Sequence, residues 1–211
     1  MLKILFFSSL LFFITSCGQP DQGWDSYGQD LTNQRFSRIT QINKKNVGEL
    51  ETAWQVQTGV KATFQATPIV HKGIMYVSLP LNNVVALNAK TGDEIWRYEH
   101  ELNPNWNLCC GPSNRGVAIK GKQLFFGTVD ARLISLNIKT GEKIWDVNVV
   151  KNTVQTESIN DLDQSDSNSE KKISGGTGVG ISMAPIVYKG KVIIGITGVG
   201  YGLHVGEEDD D

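Results

Sequence analysis

Ala86-Leu-Asn-Ala-Lys-Thr-Gly-Asp-Glu-Ile-Trp96 recurs 49 positions later as Ser135-Leu-Asn-Ile-Lys-Thr-Gly-Glu-Lys-Ile-Trp145. Each copy is the end of one strand, a Lys-Thr-Gly turn and a second strand that reaches a tryptophan. The glycine can take the φ > 0 conformation such a turn needs. A second repeat precedes the first: Pro68-Ile-Val-His-Lys-Gly73 matches Gly116-Val-Ala-Ile-Lys-Gly121 and recurs as Pro185-Ile-Val-Tyr-Lys-Gly190. Between these anchors the residues are β-branched and aromatic, so each unit reads as four short strands. In the first unit they fall near 66–71, 74–78, 84–88 and 94–98. A helical pattern is confined to one short stretch near Lys44–Leu50, before Trp54. A period of about 40–50 residues, with four strands and a tryptophan signature, specifies an all-β chain of the β-propeller type. Trp96 and Trp145 are expected to fill the wedge between neighbouring blades.

Outward from the repeats the chain is less regular. Residues 150–174 are polar and aperiodic and read as a solvated loop inserted between the second and third blades. Only the first two strands of a third blade precede Asp211, so about two and a half blades are expected, against about four to eight in a closed ring. The reading is therefore the N-terminal part of a longer protein. At the other end, Ile4–Ile14 is an apolar run behind Lys3, shorter than the roughly 20 residues of a membrane-spanning helix. It leads into Ile14-Thr-Ser-Cys17, which resembles a bacterial lipobox. Residues 1–16 are thus expected to be a lipoprotein signal peptide. Cys17 becomes the lipidated N-terminus, 17–53 form a lead-in and 54–211 the partial propeller. Gly18 after the cysteine fits sorting to the outer membrane, with the protein on the periplasmic face of the envelope.

Charge is nearly balanced at −2, and Lys and Arg form no basic stripe, which argues against nucleic acid as a partner. Cys109 and Cys110 are adjacent. They read as two reduced thiols in a loop, or as a small strained ring, since a disulfide prefers a wider Cα separation than the roughly 3.8 Å of neighbouring residues. A metal site would need further ligands, and His100 stands at no regular ligand spacing. In an oxidising compartment the disulfide becomes the favoured state. The glycine clusters Gly176–Gly180 and Gly198–Gly202 lack the Gly-Lys-Ser/Thr and following helix of a phosphate-binding loop. The stretch 175–180 reads as a flexible turn, and 198–202 as backbone passing close to a ligand. The acidic run Glu207–Asp211 reads as a solvated end.

From Trp24 to about Gly202 the chain resembles the pyrroloquinoline quinone (PQQ)-dependent alcohol dehydrogenases, which are eight-bladed propellers. The resemblance rests on Trp24–Ser37, on Thr40–Val47 followed by Trp54, and most specifically on Cys109-Cys110 with Asn114-Arg115-Gly116. It implies a Cys109–Cys110 disulfide against the planar quinone and Arg115 paired with a PQQ carboxylate, a fit for a bidentate guanidinium. It also implies cofactor contacts from Gln65 (in Gln65-Ala-Thr-Pro68, where the family often has a glutamate), Ser182, Thr197, Gly198 and Val199. The family's Ca²⁺-binding glutamate aligns with Gly200, so no metal ligand is assigned in this chain. The resemblance further implies hydride transfer from an alcohol or related substrate to the quinone, and electron transfer to a cytochrome or quinone acceptor. The catalytic base lies later in the family's sequence, so no catalytic residue is expected here and this chain is expected to be inactive alone. The alternative is a non-catalytic, lipid-anchored propeller scaffold of the outer-membrane assembly type, for which Cys109-Cys110 and Arg115 would serve no purpose.

Overall fold

The computed structural model describes residues 23–102, 106–108, 111–150, 178–197 and 203–205. Cys17, residues 151–177 and Glu207–Asp211 lie outside these, as does the apolar run Ile4–Ile14. Two antiparallel four-stranded sheets carry the architecture. The first comprises β1 (Ile69–His71), β2 (Ile74–Ser78), β3 (Val84–Asn88) and β4 (Glu94–Tyr98), paired in that order. Strand β5 (Trp106–Leu108) follows. The second sheet, paired likewise, comprises β6 (Ala118–Lys120), β7 (Gln123–Gly127), β8 (Arg132–Asn137) and β9 (Lys143–Asn148). Strands β10 (Ile186–Tyr188) and β11 (Lys191–Ile193) begin a third blade, and β12 (Leu203–Val205) pairs with β5. These are propeller blades, as the repeats predict.

The repeated Leu-Asn-x-Lys-Thr-Gly-acid motif is accounted for residue by residue. Asn88 Oδ1 accepts from the amide of Lys90 at 2.9 Å, and Asn137 Oδ1 does the same for Lys139 at 2.9 Å. Thr91 donates to Asp93 at 2.6 Å, and Thr140 to Glu142 at 2.9 Å. Gly92 and Gly141 sit at φ +79° and +74°. Their missing Cβ makes room for the tryptophan of the preceding unit. A Cβ on Gly141 would lie 2.6 Å from the Trp96 ring, and one on Gly92 would lie 2.7 Å from the ring of Trp54. Trp96 Nε1 donates to Ile138 O at 3.1 Å, and Trp54 Nε1 to Ala89 O at 3.2 Å. Trp96 thus fills the wedge between blades one and two. Trp54 does the same for the segment before β1 against blade one, a role the sequence reading did not give it. Trp145 is half-buried and packs on Phe125 within its own blade, ring centroids 5.7 Å apart.

The core lies between blades. Ile69, Tyr76, Val84, Ala86 and Trp96 of blade one meet Val117, Leu124, Phe126, Ile134 and Leu136 of blade two. On the opposite face of β3, Val85 and Leu87 join Leu79 against Trp54, Val56 and Val60 of the segment before β1. The strand's period of two therefore buries both faces. A register shift at Ala86/Leu87, matched at Ser135/Leu136, leaves Ile95 and Ile144 as extra residues. Both are exposed, at 48% and 47%.

Three local expectations are corrected. β1 starts at Ile69 rather than 66, because the Thr67 amide bonds across to Arg115 O of blade two at 3.0 Å instead of to β2. The helix near Lys44–Leu50 shrinks to a single 3-10 turn, Val47–Glu49. There the Asn43 and Asn46 side chains compete for backbone amides. The blade-two hairpin is offset by one residue from its counterparts. Lys72-Gly73 and Lys189-Gly190 are turns with both φ positive, whereas β6 and β7 are joined by Gly121-Lys122. This places the glycine first, as a type II′ turn prefers. Among the described residues no helix is long and apolar enough to cross a membrane.

Candidate ligand-binding cleft

The segments that enter the innermost strands converge at one end of the blades. Gln65 precedes β1, Gly111, Ser113 and Arg115 precede β6, and Gly180–Ser182 precede β10. With Leu108, Val129 and Thr197 they line an open cleft of about 440 Å³, within the usual range for small-ligand sites. The backbone is laced across the blades here. Arg115 N donates to Ser182 O at 2.9 Å, and Ile181 N to Thr128 O at 2.8 Å. Gly116, at φ +148°, sits tightly between blades: a Cβ would lie 3.3 Å from that of Ala184 and 3.4 Å from Thr67 O.

Arg115 is held from two sides. Its Nη1 donates to Ser182 Oγ at 2.8 Å, across 67 residues of sequence. Its neighbour Asn114 is 1% exposed, donating to Gly127 O at 2.7 Å and accepting from Gly116 N at 2.9 Å. The guanidinium itself is exposed and pairs with no carboxylate among the described residues. An oriented cation with no carboxylate partner among the described residues, beside the side chains of Gln65, Ser113, Ser182 and Thr197, suits an anionic, hydrogen-bonding ligand.

Of the site residues expected from sequence, Gln65, Arg115, Ser182 and Thr197 all line this cleft. Cys109, Cys110, Gly198, Val199 and Gly200 lie outside the described residues. Leu108 and Gly111, immediately before and after the cysteines, do line it, and so does Thr197, immediately before Gly198. The flexible-turn reading of 175–180 is corrected at its end. Gly178–Gly180 are buried, and Gly180 is tied to Thr197 by bonds of 2.8 Å in both directions. Sequence reasoning missed Ser113, Val129, Gly180 and Ile181 as lining residues. Ser113 stands two residues before Arg115, a signal that was available. Val129 and Ile181 carry none, since their apolar side chains are indistinguishable from core.

Beside the cleft, His100 Nε2 lies 3.0 Å from the carboxylate of Asp130. Burial works to raise the Asp130 carboxyl, but hydrogen bonds from His100 and Thr128 outweigh it and hold the group below its ordinary 3.8. Farther out, burial pushes the Tyr76 phenol up to about 12, so its hydroxyl serves as a donor, to Ile138 O at 3.3 Å. Among the described residues no three His, Cys, Asp or Glu side chains converge to hold a metal.

The family model described as "PQQ: Glucose/ethanol/alcohol dehydrogenase, beta-propeller domain" matches residues 24–204. The chain is 37% identical over 192 residues to the quinohemoprotein alcohol dehydrogenase ADH IIB of Pseudomonas putida, covering 90% of this chain and 24% of that one. It is 33% identical over 182 residues to the 1-butanol dehydrogenase (cytochrome c) of Thauera butanivorans, covering 85% and 23%. The crystal structure of quinohemoprotein alcohol dehydrogenase from Comamonas testosteroni superposes with a TM-score of 0.70 at 33% identity, over 84% of this chain and 23% of that one. The chain spans about a quarter of the length of these relatives.

Proposed function

Because the chain belongs to the PQQ-type glucose/ethanol/alcohol dehydrogenase β-propeller family, we propose that its cleft holds part of a PQQ cofactor in a dehydrogenase that oxidises an alcohol or related substrate. The observation that carries this reading is Arg115: a guanidinium oriented by Ser182, unpaired with any carboxylate among the described residues, in a cleft with four other polar side chains. PQQ is planar and carries three carboxylates, so the donor set and the space suit it. Arg115 would hold a carboxylate through its guanidinium N–H groups, Ser182 would fix the plane of that guanidinium, and Gln65 and Thr197 would supply further polar contacts. Cys109 and Cys110, as a disulfide, and Gly198 and Val199, all outside the described residues, would complete the cofactor contacts that the family resemblance implies. When bound, PQQ supplies the two-electron acceptor for hydride leaving the substrate carbon. The chain's own residues bind and orient. None is assigned as the catalytic base, so the 211 residues with PQQ are expected to oxidise no alcohol. With Gly200 at the aligned glutamate position, Ca²⁺ binding is expected to be weak. Electrons pass onward to a cytochrome or quinone. Lipid on Cys17 holds the protein at the periplasmic face of the outer membrane. The matched relatives are dehydrogenases, which leaves the scaffold alternative without support.

The test is PQQ titration of the 211-residue chain, followed by tryptophan quenching. Arg115→Ala should weaken binding about 10- to 100-fold, the worth of a charge-assisted hydrogen bond. PQQ trimethyl ester should bind wild type and variant alike. Equal PQQ affinity in both proteins would refute the pairing.

A further inference from the structure

The connection between β2 and β3 departs from ordinary turn chemistry. Leu81 and Asn82 are consecutive non-glycine residues at φ +63° and +61°, a conformation L-residues adopt at a cost. Asn82 is fully buried at 0% exposure. A surface hairpin has no need of either feature. What the turn gains is reach: three consecutive residues each bond a different segment. Leu81 N donates to Pro112 O at 3.0 Å. Asn82 Oδ1 accepts from Val129 N at 3.0 Å. Asn83 Oδ1 accepts from His100 N at 3.1 Å.

Those targets bear on the cleft. Pro112 lies between Gly111 and Ser113, and all three of Gly111, Ser113 and Val129 line it. His100 begins the crossover that runs through Leu108, and its ring is anchored on Asp130. The turn between β7 and β8 repeats the arrangement one blade on. Leu79 N bonds Asn83 O at 2.7 Å, and in the same frame Thr128 N bonds Arg132 O at 2.9 Å. Ala131, the counterpart of Asn82, also has a positive φ, +60°. Thr128 O then accepts from the amide of Ile181, the cleft residue of blade three. Each turn therefore fixes the cleft-lining segment of the following blade. Asn82 couples the first turn to the second through Val129.

We propose that Asn82 is a positioning residue, which through the Val129 and Pro112 contacts of its turn sets the 111–115 arc, and with it Arg115, at the spacing the ligand requires. This rests on the reading of the cleft as a PQQ site, although the positioning itself is measurable without ligand. Asn82→Gly keeps the left-handed backbone accessible but deletes the acceptor, leaving the buried Val129 N–H unpaired. Asn82→Asp keeps an acceptor oxygen in the same place.

Two measurements on the whole chain decide it. By amide hydrogen exchange, Asn82→Gly should speed exchange about tenfold or more in peptides covering 111–115 and 128–131 and leave β8–β9 unchanged. Asn82→Asp should restore slow exchange at Val129. PQQ affinity should fall about tenfold in Asn82→Gly, matching the local loosening. Unchanged exchange at 111–115, or acceleration spread evenly over both blades, overturns the proposal. If Asn82→Gly does not fold, wild type alone still decides, since a Val129 amide exchanging as fast as an exposed loop is incompatible with the bond. Local exchange effects in a chain that fails to bind PQQ would uphold the positioning role and reject the cofactor reading instead.

Discussion

Four glycines form two matched pairs that isolate the docking of tryptophan on the neighbouring unit. Gly92 and Gly73 share nearly the same φ, +79° and +78°, as do Gly141 and Gly190 at +74° each. They differ in what an added methyl would meet. At Gly73 and Gly190 nothing lies within 4 Å, whereas at Gly92 and Gly141 a tryptophan ring atom lies at 2.7 and 2.6 Å. Alanine at any of the four incurs the left-handed backbone cost of about 1–2 kcal/mol. At Gly92 and Gly141 it must also displace a ring that is hydrogen-bonded through its indole N–H, and overpacking of that kind costs about 1–3 kcal/mol more. With a urea m-value of about 2 kcal/mol/M, the excess corresponds to a midpoint lower by about 0.5–1.5 M than in the matched control. The assay is urea unfolding of the four single variants followed by tryptophan fluorescence. A double-mutant cycle sharpens it: in a Trp96→Ala background, Gly141→Ala should lose its excess and cost what Gly190→Ala does. If Gly141→Ala costs no more than Gly190→Ala, or keeps its excess without Trp96, the docking account is wrong.

Other expectations concern charge, lipid and thiols. Asp130 is held below 3.8 in the folded protein, so its stabilising contribution is complete above that value and is lost as pH falls through the folded pKa. Asp130→Asn should cost about 1–3 kcal/mol near neutrality, and the gap from wild type should narrow in acid. A constant gap across that range in urea titrations would contradict this. Palmitate labelling and detergent partitioning should both vanish in Cys17→Ser, and persistence of either would remove the lipobox. Peptide mapping without reduction should find Cys109 and Cys110 in a single peptide lighter by two hydrogens. Two alkylatable thiols in exported protein would argue against the disulfide.

Fold and site were legible in the sequence to different depths. The all-β repeat, the strands 74–78, 84–88 and 94–98 and the Lys-Thr-Gly turns follow from period, β-branched composition and one obligatory glycine per turn. All of these are local, encoded within a few residues of where they act. The family resemblance singled out Gln65, Arg115, Ser182 and Thr197 by motif. That the four face one cleft, and that Ser182 orients Arg115 from 67 residues away, depends on how blades stack. The starting point of β1 was misplaced for the same reason, since the amide of Thr67 finds its partner in another blade. Asn82 lies deepest. In the sequence it is one more asparagine in a turn, a residue type at home there for ordinary reasons. Only the packing of one blade's turn against the next buries it completely and sets its carbonyl oxygen 3.0 Å from the amide of Val129. Periodicity records which face of a strand is apolar. It does not record which distant segment a buried polar group will meet, because that distance is set by the rotation of one blade against its neighbour.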